Sequence, residues 1–203
     1  MWQRQTGKPV LIVGLGNPGR SYAQHRHNAG FMVLDRLSGE GRRAWSKDKE
    51  KAQIAQAEIE GVAVVLVKPQ TYMNLSGKAV APILGRFKAD PAGMIVVHDD
   101  LDLPLGKVRI KVGGGDGGHK GVRSISDSLR FRDFIRIRLG VGRPPTGVNP
   151  EEFVLTSFPF EEKDAREDLI ETACRAVGMI LIHGVERAQN LIHPAKSVAK
   201  TGT

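Results

Sequence analysis

Apolar positions fall along the chain in short blocks whose spacing switches between the strand period and the helix period. Residues 10–13 are all apolar and end at Gly14, as a central strand buried on both faces of a sheet reads. Residues 29–37 carry Phe31, Val33, Leu34 and Leu37 at helical spacing, and Gly39 and Gly41 stop the pattern. Residues 52–58 and 62–67 flank Glu60-Gly61, which predicts a hairpin with an exposed first strand. Residues 75–87 predict a helix, although Pro82 should kink it or mark a fresh start. Residues 94–98 read as another buried strand, ending in the polar cluster His98-Asp99-Asp100. Residues 107–112 alternate as a strand does and run into Gly113-Gly114-Gly115-Asp116-Gly117-Gly118, where a loop is forced. A helix over 122–129, a strand over 134–141 and a turn-rich connection over 142–150 follow. The stretch 161–190 is mostly helical, with acids in its first turns that complement the helix dipole.

Strands separated by helices, with one hairpin inserted, imply a mixed sheet covered by helices on both faces. At 203 residues the chain suits one buried core, so a single α/β domain is expected over 1–193 with a frayed tail over 194–203. In such sheets the working groups gather at the carboxyl ends of the strands. Three polar clusters stand there: 14–28, 68–74 and 98–102.

The longest apolar runs, such as 62–67 and 94–97, are far below the ~18 residues needed to cross a bilayer. No apolar segment resembling a secretory signal precedes Val10, so a cytoplasmic location is expected. Cys174 is the sole cysteine, which excludes an internal disulfide and a cysteine-based zinc site; its helical, apolar surroundings predict a buried, inert thiol.

Thirty Lys and Arg against twenty-two Asp and Glu give a net charge of +8, which suggests a polyanionic partner. Nearly all of the excess lies between Lys107 and Arg143, where ten basic residues face three acids. A solvated face is the ordinary explanation of a charge run. Here Arg109 and Lys111, and likewise Arg136 and Arg138, repeat at i, i+2 within strand-like sequence, so each pair projects from one face and favours phosphate binding.

Gly14-Leu15-Gly16-Asn17-Pro18-Gly19 matches the G-x-G-x-x-G dinucleotide pattern directly after a strand. That pattern needs its last glycine to open a helix, whereas Pro18-Gly19-Arg20-Ser21 reads as a turn, and Asp35, at the right distance for the ribose acid, falls within helical sequence. The chemistry instead gathers on His27, Asp99, Asn17 and Asn74, all at strand ends. A histidine accepts a proton near neutral pH, a carboxylate on its other ring nitrogen fixes the tautomer, and carboxamides donate to an oxyanion without adding charge. With no G-x-S-x-G elbow and Cys174 remote, direct attack by water is the simplest mechanism. Other readings stand beside this one. Asp99 and Asp102 could cap a turn before Pro104, and Asn74 could cap the helix that follows it. His98, Asp99, Asp100 and Asp102 could hold a divalent metal, but consecutive strand residues point to opposite faces, so no metal site is expected.

In order and spacing the chain resembles the bacterial peptidyl-tRNA hydrolase family over residues 10–191. The match shows in residues 14–19, Tyr22, Arg26-His27-Asn28-Ala29-Gly30, Met73-Asn74-Leu75-Ser76-Gly77, His98 through Pro104, and Gly117-Gly118-His119-Lys120-Gly121. The resemblance implies a monomeric three-layer α/β/α domain that cleaves the ester joining a peptide to the 3′-terminal ribose of tRNA, with no cofactor. It implies His27 as general base and Asp99 as the carboxylate that orients it. Asn17 and Asn74 would place the substrate or stabilise the oxyanion, and Tyr22 and Met73 would line the crevice, although Tyr22 reads equally as a packed turn residue. His119 would close one wall, and Arg109, Lys111 and Arg138 would clamp phosphates. Two positions depart from the family: Lys120 stands where asparagine is common, and His25 where threonine is common. Lys120 keeps a donor but adds charge, which shifts its expected role toward phosphate. The main rival is a catalytically idle RNA-binding relative of the same fold.

Overall fold

In the computed structural model, which describes residues 7–39 and 44–193, the all-apolar first run is strand β1 (Val10–Gly14), buried throughout. Strand β2 (Ser46–Asp48) was not evident in the sequence, because its three residues are polar and carry no apolar alternation. Strands β3 (Ala52–Ile59) and β4 (Val62–Pro69) form the expected hairpin, with Glu60 and Gly61 both at positive φ, as a two-residue turn between right-twisted strands requires. β3 is exposed at Gln56 and Glu58 but buries Ala52 and Ala55, so only its outer half fits the exposed strand expected. Strands β5 (Ile95–Asp100), β6 (Val108–Val112) and β7 (Ile135–Gly140) complete a seven-stranded sheet ordered β2-β3-β4-β1-β5-β7-β6. β1 pairs parallel with β4 and β5, and β5 with β7, whereas β2, β3 and β6 run antiparallel to their neighbours. The sheet is therefore mixed, with β1 at its centre.

Alternation along the strands supplies two apolar layers. Ile12, Leu66, Ile95 and Ile137 pack with helices α1 (Ala29–Leu37), α5 (Lys163–His183) and α6 (Val185–Ile192). Leu11, Val13, Val65 and Val96 pack on the other side with α2 (Ser76–Arg86) and α3 (Lys120–Leu129). This is the three-layer α/β/α arrangement. A short helix, α4 (Pro150–Val154), follows the turn-rich connection. None of the helices is long and apolar enough to cross a membrane among the described residues. The proposed tail over 194–203 lies outside the described residues.

Pro82 neither breaks nor restarts its helix, because α2 runs through it unbroken. The bond it removes would have ended on the Lys78 carbonyl, and Lys78 and Pro82 are both exposed, so water can take that acceptor. The helical stretch 161–190 is divided at Gly184, where φ is 79°. Residues 14–19 enter a 3₁₀ turn (Arg20–Tyr22), and the first α-helix begins only at Ala29, so the dinucleotide pattern lacks its helix. What the glycines permit is close approach. A Cβ on Gly14 would stand 2.4 Å from the Gly30 carbonyl oxygen, and one on Gly30 would stand 2.4 Å from that of Val97. The start of α1 therefore rests directly on the ends of β1 and β5, and this contact carries His27 to Asp99.

Candidate active site

Asp99, near the end of β5, is 3% exposed and gathers the site around one oxygen. His27, in a 3₁₀ turn (Arg26–Asn28) leading into α1, places Nδ1 2.8 Å from Asp99 Oδ1, and His119 Nε2 lies 3.0 Å from the same atom. The hydrogen bonds of His119 settle its tautomer. Its Nδ1 accepts from the backbone N–H groups of Gly121 and Val122, capping α3, so the ring proton is on Nε2 and is donated to Asp99. Burial alone would raise the pKa of Asp99, but the two histidines overcome it and hold the carboxyl well below the usual carboxylate range. Burial likewise acts to lower the pKa of His27, and the charge and hydrogen bond of Asp99 outweigh it, leaving His27 above its ordinary value.

His98 points to the other face of β5. Its Nδ1 donates to the Asp99 carbonyl at 2.8 Å, its ring stands edge-on to His119, and its Nε2 is buried with no hydrogen-bond partner among the described residues. Burial, and then His119, push its pKa down to about 3, so it stays neutral. The opposite orientations of His98 and Asp99 disfavour the shared metal considered for residues 98–102. Donor atoms of His27, Asp99 and His119 do lie within 4.8 Å of one another, but they already serve as hydrogen-bond partners of each other.

The carboxamide side of the site is built from β1 outward. Asn17 Oδ1 accepts the Met73 N–H at 3.0 Å, which identifies the oxygen and leaves the Nδ2 amino group as the donor available to the cavity. Asn28 holds this loop in place: its Oδ1 accepts the Asn17 N–H, and its Nδ2 donates to the Asn17 carbonyl. Asn74 is exposed and does not cap α2, whose N-cap position is Leu75.

Asn17, His27, Met73, Asn74, Asp99, His119 and Lys120 share the wall of one cavity of about 730 Å³. Tyr22 does not line it. Its ring packs edge-on against His25, so the packed-turn alternative describes it. The exposed aromatic at the wall is Tyr72, and Val154 and Leu155, of the segment that contains α4, line the same cavity. The turn-rich connection expected over 142–150 ends where this helix starts, and 151–155 carries no expected element, although Asn149-Pro150 is a helix-start signal; Asn149 caps α4, and Glu151 in its first turn meets Lys120. Beyond α4 the chain is tied to the His27 turn. Arg26 donates its backbone N–H to Thr156, pairs with Glu162, and lies over the rings of Phe153 and Phe158. Cys174 is far from this chemistry, half-buried on α5, and burial pushes its thiol up to about 12.

Strands β6 and β7 bury Val108, Ile110, Ile135, Ile137 and Leu139 on one face. Their cross-strand pairs on the other face are all basic: Arg109 with Arg138, and Lys111 with Arg136. Only part of this face is free. Arg136 is turned inward and donates to the Gly114, Gly115 and Arg132 carbonyls, so it shapes the glycine loop. Arg138 pairs with Asp100 at 2.6 Å, whereas Arg109 and Lys111 have no ion-pair partner among the described residues.

The chain is 47% identical over 186 residues to a peptidyl-tRNA hydrolase of Nocardia farcinica, covering 91% of this chain and 96% of the relative. A counterpart from Frankia alni is 45% identical over 185 residues, covering 91% and 94%. The sequence model of the peptidyl-tRNA hydrolase family matches residues 11–201. The chain belongs to the peptidyl-tRNA hydrolase family. Its fold agrees with the crystal structure of peptidyl-tRNA hydrolase from Acinetobacter baumannii, with a TM-score of 0.85 and 37% identity over 92% of this chain and 95% of that one. Membership in the family and the geometry of the cavity point to the same kind of chemistry, hydrolysis at an ester.

Proposed function

We propose that the cavity hydrolyses the ester between a peptide, or an N-blocked amino acid, and the 3′-terminal ribose of tRNA. The observation that carries this reading is the arrangement on Asp99. His27 donates from Nδ1 to a buried, ionised carboxylate, so Nε2 is the unprotonated nitrogen on a ring that lines the cavity. Nε2 takes a proton from water as the oxygen attacks the ester carbonyl. Asp99 stabilises the imidazolium that forms, and the tetrahedral intermediate then expels the ribose 3′-oxygen, which takes the proton from His27 Nε2 and leaves as the hydroxyl. The Asn17 amino group, with its oxygen held by Met73, is the donor for the oxyanion, and Asn74 adds a second carboxamide. His119 fixes Asp99 rather than acting as a base, because both its nitrogens are engaged. A positioned base gives about 10²–10⁴ in rate and an oxyanion donor about 10²–10³, enough for an ester activated by its neighbouring hydroxyl. Lys111, Arg109 and Arg138 would bind the RNA backbone along the sheet edge. Action as a monomer, as the resemblance implies, belongs to the same reading, and a tRNA substrate supports a place in the cytoplasm beside translation.

The test is release of tRNA from an N-blocked aminoacyl-tRNA by purified protein in EDTA. Turnover is expected to be undiminished by the chelator. Turnover abolished by EDTA and restored by a divalent metal would instead make the His27, Asp99, His119 donors a metal site. Binding of the RNA without any turnover would favour the idle RNA-binding relative.

A further inference from the structure

Two opposite charges meet across the cavity mouth. Lys120, the first residue of α3, donates from Nζ to Oε2 of Glu151, in the first turn of α4, at 2.8 Å. Both residues line the cavity with His27, and their side chains are 51% and 69% exposed. A pair this open to water contributes little to stability, so either partner can be traded for another at little cost. Lys120 also has reason to trade. It adds a positive charge to the first turn of a ten-residue helix, where the backbone N–H groups are already partly positive and no acid is present. Glu151 is its one ion-pair partner among the described residues. A phosphodiester accepts charge-assisted hydrogen bonds as well as a carboxylate does, and an RNA substrate brings several of them to this mouth.

Resting on the hydrolase reading above, we infer that Lys120 and Glu151 form an exchangeable latch, and that Lys120 leaves Glu151 for a phosphate of the RNA 3′ end when substrate binds. The latch then governs substrate affinity more than the chemical step. Closed, it neutralises Lys120 and spans the gap between the α3 start and α4. Open, it gives the phosphate a cation and frees Glu151 to turn toward water.

The experiment is steady-state hydrolysis of N-acetyl-aminoacyl-tRNA by the wild type, Glu151→Gln, Lys120→Gln and the double variant, at several salt concentrations. Glu151→Gln, which frees Lys120 in advance, is expected to lower KM by roughly threefold to fivefold. Lys120→Gln is expected to raise KM about tenfold and to flatten the salt dependence of kcat/KM by about one in the log–log slope. In the Lys120→Gln background, Glu151→Gln should change KM no further. A Glu151→Gln variant with wild-type or higher KM overturns the latch. So does an equal fall in KM with and without Lys120, which would mean that Glu151 acts on the RNA alone. A wild type that turns over no substrate overturns the hydrolase reading itself, a result separable from both of these.

Discussion

Asp99 on β5 and Arg138 on β7 stand at the same end of adjacent strands, a single register step apart, and hold their charges in opposite ways. Asp99 is almost wholly buried and accepts two imidazole N–H groups on a single oxygen, which fixes its place. Arg138 has one carboxylate partner, Asp100, and about a quarter of its side chain in solvent. Lys111 is wetter still, exposed and with no ion partner among the described residues. In the dry place the surroundings set protonation and tautomer, which is what proton transfer requires. In the wet place charges are screened and partners exchange, which suits a long, variable polyanion.

This contrast can be tested from its strongest side downward. His27→Ala should lower kcat by about 10²–10⁴ while leaving tRNA affinity nearly intact; a fully active variant would show that His27 is not the base. Asp99→Asn should cost about 10²-fold or more, because a carboxamide can present the wrong group to Nδ1 and cannot stabilise the imidazolium. The pH profile carries the same information. His27 works unprotonated and its pKa is raised, so kcat/KM should fall, as pH drops, at a value above the ordinary ~6.5 of histidine. In Asp99→Asn the raising influence is gone and burial remains, so that limb should move to lower pH, and an unmoved limb would assign it to another group. The smallest effect belongs to the sheet edge. Lys111→Ala and Arg109→Ala should each weaken tRNA binding several-fold across tRNA species and reduce its salt slope by about one. An unchanged slope would return these residues to the solvated face. Lys111 is the cleaner probe, since removing Arg138 would also strand the Asp100 carboxylate, whose side chain is 11% exposed.

The same division governs what could be read in advance. β1, α1 and the β3–β4 hairpin were legible because burial on two faces, helical apolar spacing and a turn dipeptide are local signals. His27 with Asp99 was legible because both stand in polar clusters where central strands end, at the carboxyl end of the sheet. His119 was legible as a wall residue but not as the second donor to Asp99, since its partner lies 20 positions away and the bond depends on where α3 begins. Arg136 looked like its neighbours in the i, i+2 pattern and proved to be a loop anchor, because burial is decided by the glycine loop folding over it. Tyr22 was drawn to the cavity by resemblance and packs on His25 instead, while Tyr72 takes the exposed place.

By itself, the sequence determined the order of elements, the mixed sheet with helices on both faces, the family and the candidate pair of His27 and Asp99. These depend on periodicity, on residues that only certain backbones accept, and on motifs that keep their spacing. Tertiary structure alone decided which nitrogen of each histidine carries the proton, which end of Asn17 is free, which arginine is buried, and that Lys120 faces Glu151. Each of these is a hydrogen bond or ion pair between segments far apart in the chain. Such contacts turn on ångström-scale placement of whole elements, and no local pattern encodes that.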